Sequence, residues 1–283
     1  MKKQPAPEAD PLRGRWQRLH LADREPWPDE QRIAALARGE AAVACLASAR
    51  GGARALAREL QEAWREFHSG ELVNAVTLGG ALGALGAAVA NKAVAVQALY
   101  GKSSESQMLQ RLTAAIGRGE QAVAELPGYA NAHYTLALAL GRYSQRTSIL
   151  QALTAGLAGR VRTHLERTLE LEPRHAEAHL AFGVYHAEIV GQLGTLAARF
   201  TYGASPDAAL DHFRRATHLA PSLAIVHLEH AHGLLRLDAA RYREQARALY
   251  ARAAECKPLD AAENLDVARA RRGLPDAGAE ARG

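Results

Sequence analysis

Apolar and small residues recur along most of the chain at spacings of three and four, which is the period of an amphipathic α-helix. Alternation of the kind that predicts strands is hard to find. The pattern predicts two helices between Asp29 and Phe67, broken near Gly51-Gly52, and one long helix from Glu71 to Tyr100. We therefore expect an all-α protein.

The two ends of the chain have a different pattern. Residues 1–30 contain Pro5, Pro7, Pro11, Pro26 and Pro28 among charged residues, which is typical of a flexible leader. Residues 273–283 resemble a frayed tail. The helical domain is accordingly predicted at 31–272.

A fourfold repeat ending in proline dominates the second half of the chain. In each copy a small or β-branched residue is followed four residues later by a packing position, then by a small residue, then by proline. The copies are Ala115, Gly119, Ala122 and Pro127; Val161, Leu165, Thr168 and Pro173; Ala209, Phe213, Ala216 and Pro221; and Ala246, Tyr250, Ala253 and Pro258. Offsets of four and seven share one helical face, and proline ends the helix. The repeat predicts stacked helix pairs, clearest from about 115 to 272.

These features resemble the tetratricopeptide repeat (TPR) family, in which small residues mark close helix contacts and proline follows the second helix. The segments LELEP at 169–173 and HLAP at 218–221 look like its repeat ends, and FHSGELVNAV at 67–76 is similar to its inter-helix turn. The resemblance implies a TPR-like α-α superhelix, a solenoid of helical hairpins. We expect about four hairpins after two or three N-terminal helices.

The spacing of the repeat departs from the family. The prolines are 46, 48 and 37 residues apart, whereas regular TPRs have about 34 residues. Insertions are therefore predicted at 144–160 and 189–204. Extended repeats with a small-residue insertion ending in YGAS resemble divergent bacterial TPR proteins related to regulators of microtubule dynamics and to the T-components of periplasmic tripartite transporters.

A binding groove is expected on the concave face, to which the first helix of each hairpin contributes. The repeat register predicts a largely apolar surface with charges at its edge. Its residues are Asn131, Tyr134, Leu138, Arg142, Glu177, Leu180, Val184, Glu188, Leu228, His232, Leu235 and Arg236. Such a surface is typical of a non-catalytic scaffold that binds a peptide or a helix of a partner protein.

Two alternatives to an open groove exist. In the first, the insertions fold into the groove and fill it. Leu180 and Leu228 would then be covered by Ile149–Leu157 or Leu193–Phe200. Alternatively, they enclose a cavity behind Phe200 and Tyr202 for an apolar small molecule, as in a carrier or transporter accessory. Self-association through an end repeat is a third form of binding.

Histidines are concentrated in the repeats. His133, His179 and His227 each stand six residues after a repeat proline, which predicts a packing role in which the ring bonds a turn. A zinc site formed by His179, His186, His227 and His230 is the alternative, and no cysteine or carboxylate lies at a ligand spacing with them.

Composition narrows the function classes. The formal charge is +5, but 35 basic and 30 acidic residues are mixed along the chain, so the clustered basic face typical of nucleic-acid binding is missing. No phosphate-binding glycine loop, nucleophile elbow or HExxH motif is present, and we therefore expect neither catalysis nor a cofactor. The uncharged stretch 72–91 predicts a buried helix packed through glycines rather than a membrane span. Two distant cysteines and no readable export signal favour the cytoplasm.

Overall fold

The computed structural model describes residues 10–147 and 155–273, and within these ranges it contains fourteen helices and no strand. The helices are α1 (Pro11–Leu19), α2 (Glu30–Gly39), α3 (Ala41–Ala49), α4 (Ala53–Ser69), α5 (Leu72–Gly80), α6 (Gly83–Tyr100), α7 (Glu105–Glu125), α8 (Ala130–Ser144), α9 (Leu157–Leu171), α10 (Ala176–Leu193), α11 (Thr195–Tyr202), α12 (Pro206–Leu219), α13 (Ala224–Glu255) and α14 (Ala261–Gly273). The predicted all-α solenoid of helical hairpins is confirmed.

The four prolines mark the ends of four helices that pack on their neighbours. Helices α7, α9, α12 and α13 each end two or three residues before a repeat proline, and the next helix begins at an alanine three residues after it. Helix α13 consists of two helical segments, because Asp238 within it has extended backbone angles. The Asp238 carboxylate accepts a hydrogen bond from the N–H of Arg241 at 2.9 Å and so caps the second segment. Asp238 thus separates two helices of one hairpin.

The predicted helix over Glu71–Tyr100 is wrong, because the chain reverses near Leu82 and forms the α5–α6 pair. A side chain on Gly86 would collide with the backbone of Gly79, so glycine at both positions lets the two helices touch. Helix α6 is buried on nearly every side. No helix within the described ranges has the length and apolar character needed to cross a membrane.

The N-terminal region also differs from the prediction. From residue 10, where the described part begins, five helices rather than two or three precede the proline-ended pairs, because the 29–67 region breaks at Glu40 as well as near Gly51-Gly52. The flexible leader is wrong for residues 10–29, which form α1 and a packed loop. Trp16 is 4% exposed and lies against Trp27 and Trp64, with ring centroids 4.9 Å and 5.7 Å away. Residues 1–9 and 274–283 lie outside the described residues.

Of the two predicted insertions, 189–204 extends α10 and then forms α11. Of 144–160, residues 148–154 lie outside the described residues. The remainder ends α8 and begins α9.

The last helix closes the array by packing against α4 as well as α13. His68 Nδ1 and Asp260 Oδ2 are 2.7 Å apart, and the Tyr100 hydroxyl donates to Asp266. Elements from both ends of the sequence therefore meet at the concave face.

Candidate functional site

A cavity of about 580 Å³ lies on the concave face, within the range of about 300–1,000 Å³ typical of small-ligand sites. Apolar side chains from α6, α8 and α10 form its wall, and charged side chains surround them. Eight of the residues expected in the groove line it: Tyr134, Leu138, Arg142, Glu177, Leu180, Val184, Glu188 and Arg236. Repeat register therefore brought residues of three hairpins to one site.

Four expected groove residues do not line this cavity. Leu228 is fully buried in a cluster with Val267 and Ala270, so α14 covers it. Most of the segment Ile149–Leu157, which was expected to cover it, lies outside the described residues. Leu235 packs beside a separate cluster of α13. His232 and Asn131 belong to polar networks of the protein itself.

Two charged pairs stand on the carboxyl-terminal side of the cavity. Arg236 lies 3.3 Å from Glu188, and Arg269 lies 3.3 Å from Glu229. Burial opposes ionisation of Glu229, but His232, whose Nδ1 lies 3.9 Å from the carboxylate, and the charges of Arg142 and Arg269 lower its pKa to about 2. Among the residues that the structure describes, the buried Nε of Arg142 has no hydrogen-bond partner, which leaves this donor available for a bound partner.

The loop between α1 and α2 lies against the same face; we call residues His20–Glu25 the inner segment. The backbone N–H of Glu177 donates to the carbonyl of Ala22 at 3.2 Å. The Asn131 amide donates to the carbonyl of Asp23 at 3.0 Å and to the carboxylate of Glu25 at 2.8 Å. Backbone and side-chain donors of the repeats therefore hold this segment by two of its carbonyls and one carboxylate.

The orientation of the Asn131 amide is fixed from behind. His175 Nδ1 accepts from the N–H of Ala178 at 3.0 Å, so the other ring nitrogen carries the proton and donates to Asn131 Oδ1 at 2.9 Å. Burial lowers the pKa of His175 to about 3, which keeps the ring neutral. The amide NH₂ of Asn131 must then face the inner segment.

Lys92 is a largely buried cation of this region. Its ammonium lies 2.6 Å from Asp23 and 2.9 Å from Glu177. Burial favours the uncharged forms of Lys92 and Asp23, but electrostatic attraction outweighs it. Asp23 and Glu177 raise the pKa of Lys92, and His20 and Lys92 lower the pKa of Asp23. The pair is ionised.

Helix α14 contributes two carboxyl groups whose pKa values are raised rather than lowered. Burial and the nearby Asp260 raise the pKa of Glu263 to about 7, and burial with Glu229 and Asp260 raises that of Asp266 to about 7. These two groups are therefore half-protonated near neutral pH.

The repeat histidines bond the turns. Nε2 of His133, His179 and His227 lies 3.1, 3.1 and 2.8 Å from the carbonyl of the proline six residues earlier. Nδ1 of His179 meets Nδ1 of His212 at 2.9 Å, and His133 pairs with His164 in the same way. Within residues 10–147 and 155–273, no three metal-ligating side chains converge as a metal site.

The 189–204 insertion reaches the cavity only in part. Ile189, Leu193 and Tyr202 line it, but Phe200 is 86% exposed. The cavity therefore does not lie behind Phe200, as the small-molecule alternative expected.

The site residues missed in the sequence come from the inner segment, from α6 and from α14. Asp23 and Glu25 belong to the region assigned to the leader, and their only sequence signal is the Trp16 and Trp27 that flank them. Lys92 was visible as the single charge at the end of a long uncharged stretch. Glu263 and Asp266 give no local signal, since only closure of the array buries them.

Stacked helical hairpins with proline-ended second helices define an α-helical repeat protein of the TPR class. A thermophilic TPR protein from Thermus thermophilus has a similar solved structure, with a TM-score of 0.55 and 18% sequence identity over 77% of this chain and 99% of that one. The family model described as regulator of microtubule dynamics protein 1-3 matches residues 87–272. The chain belongs to this family. A comparison with curated proteins found no match.

Proposed function

We propose that this protein is a non-catalytic scaffold that binds a segment of a partner protein at the central cavity. The observation that supports this most is the convergence of α6, α8 and α10 on one cavity of about 580 Å³. Its wall offers half-buried Leu138 and Val184 to an apolar side chain. The Arg142 Nε and the Arg236–Glu188 pair offer polar contacts that fix orientation.

The cytoplasm is the proposed location. Cys45 and Cys256 are both free thiols, the state that a reducing compartment maintains.

Val184→Glu tests the cavity. A charge placed on its apolar wall disfavours an apolar anchor, so peptides selected from a displayed library on the wild type should lose at least about tenfold in affinity. Fluorescence anisotropy measures this loss. Val73→Glu is the matched control, because Val73 is 65% exposed on α5 outside the cavity lining, and it should bind like the wild type.

The proposal fails if Val184→Glu folds and binds the selected peptides as the wild type does. Light scattering at two protein concentrations identifies the case in which the partner is a second copy of the chain.

A small apolar molecule is the second candidate ligand. Residues of both insertions, such as Ala158 and Tyr202, contribute to the cavity wall, and the volume suits such a ligand. A constant mass adduct in native mass spectrometry, absent from Val184→Glu, would favour this candidate over a peptide.

A further inference from the structure

We propose that the inner segment occupies, within its own chain, a peptide subsite formed by Lys92, Asn131 and the N-terminus of α10. The subsite recognises an acidic partner segment of the same pattern: a small residue, aspartate, any residue, glutamate. The inference rests on the proposed function, in which a partner segment binds the concave face.

The contacts of the inner segment are those by which proteins recognise a peptide. Main-chain carbonyls of Ala22 and Asp23 accept hydrogen bonds, which fixes the position of the backbone, and both carboxylates of the segment face repeat side chains. Lys92, 2.6 Å from Asp23, binds the carboxylate of the aspartate. Asn131 and Tyr129 bind the carboxylate of Glu25. The side chain of Arg24 between them is exposed and does not contribute to specificity.

The subsite has its shape independently of the segment. His175 orients Asn131 through a hydrogen bond to its Oδ1, and Glu177 holds Lys92 through a second ion pair at 2.9 Å. A pre-organised amide and ammonium suit an incoming carboxylate, because little ordering accompanies binding. The small residue is required because Ala22, 2% exposed, fits beside Ala176 and Leu180.

The intramolecular occupant carries a strain that a partner need not carry. Arg24 has φ of +55°, the left-handed region that a residue with a Cβ disfavours. The inner segment is nevertheless tethered on both sides by the buried Trp16 and half-buried Trp27, which gives it a high effective concentration. It therefore acts as an autoinhibitory occupant.

The test uses the full chain and the fluorescein-labelled peptide HLADREP, which copies residues 20–26. Asp23→Ala with Glu25→Ala loosens the inner segment, while Lys92 keeps its contact with Glu177. Freeing the subsite should tighten peptide binding by about tenfold or more, since the apparent affinity scales with the competent fraction. The peptide HLANRQP, which lacks both charges, should bind at least about tenfold more weakly to the same variant.

Arg24 supplies a second test that removes no contact. Arg24→Gly relieves the strain within the chain, so it should weaken binding of HLADREP by about five- to thirtyfold. Arg24→Ala is the matched control, because it removes the same side chain, keeps the strain and should leave affinity unchanged. Conversely, the peptide HLADGEP should bind the wild type more tightly than HLADREP.

The inference is overturned if the folded double variant binds HLADREP no better than the wild type, or no better than it binds HLANRQP. If the double variant does not fold, the Arg24→Gly and Arg24→Ala pair decides in its place: equal affinities overturn the inference. Library peptides that lose affinity in Val184→Glu but contain no acidic pattern would leave the proposed function standing while this inference falls.

Discussion

At the scale of the residue, two glycines make room for one large ring, Phe213, that crosses between helices. Phe213 is fully buried between Gly183 of α10 and Gly233 of α13. A Cβ on Gly183 would come within 2.6 Å of Phe213 Cδ1, and one on Gly233 would come even closer to the ring tip. The absence of a side chain at both glycines therefore makes the space that the Phe213 ring occupies.

Gly233→Ala should accordingly lower the free energy of unfolding by about 1–3 kcal/mol, because the ring must leave its rotamer or push the helices apart. Urea unfolding followed by circular dichroism measures the change. Phe213→Leu in the same chain should restore part of the loss, since the smaller side chain leaves room for the methyl group.

Gly117→Ala is the control for helix propensity alone. Gly117 is exposed within α7, and no atom of the described residues lies within 4 Å of an added Cβ, so this change should stabilise the protein by about 0.5–1 kcal/mol. A similar gain in Gly233→Ala would show that the ring is not confined.

At the scale of the element, docking of α14 depends on the protonation of a carboxyl group, that of Glu263. The pKa of Glu263, about 7 against an ordinary value of 4.5, lies above that of the unfolded chain. The folded state thus binds more protons between those two values, and docking of α14 weakens as pH rises through that window.

Glu263→Gln should raise the thermal midpoint at pH 8, where the wild-type group is ionised in a buried site, and change it little at pH 5, where the group is already protonated. The amide oxygen still accepts from the Leu259 N–H, which lies 2.6 Å from Glu263 Oε2. Scanning calorimetry at the two pH values measures the difference. Glu255→Gln, exposed at the end of α13, should change neither, and a gain at both pH values would assign the effect to something other than protonation.

At the scale of the whole molecule, buried histidines set the acid limit of stability. Burial lowers the pKa of His175 to about 3 and those of His186, His212 and His230 to about 4. An unfolded chain takes up these protons near pH 6.5. Stability should therefore be full above that pH and fall as pH decreases from about 6.5 towards 4.

His212→Leu should make this fall shallower, because it removes one group that must be protonated on unfolding. The change has a precedent in the chain: Leu249 occupies the equivalent position of the last repeat, where His227 Nδ1 has no hydrogen-bond partner among the described residues. Urea midpoints at pH 7 and pH 5 measure the slope. His218→Gln, on an exposed residue of α12, should retain the wild-type slope; an unchanged slope in His212→Leu would contradict the assignment.

The sequence by itself determined the repeat. Pro127, Pro173, Pro221 and Pro258 act locally, because proline ends a helix whatever surrounds it, and small residues at fixed offsets fix which face packs. The same register also placed eight expected groove residues, among them Tyr134 and Val184, around the cavity. Local chemistry with a fixed period is readable without coordinates.

Only the tertiary structure decided what covers the concave face. Asp23 lies 69 residues from Lys92, and His68 lies 192 residues from Asp260, so no periodicity connects either pair. The Pro-rich composition of residues 10–29 predicts flexibility, but burial of Trp16 and the ion pair of Asp23 outweigh that local tendency. Contacts of this kind depend on where the two ends of a solenoid meet. That position results from all the packing angles between the helices in between, which no local sequence pattern fixes.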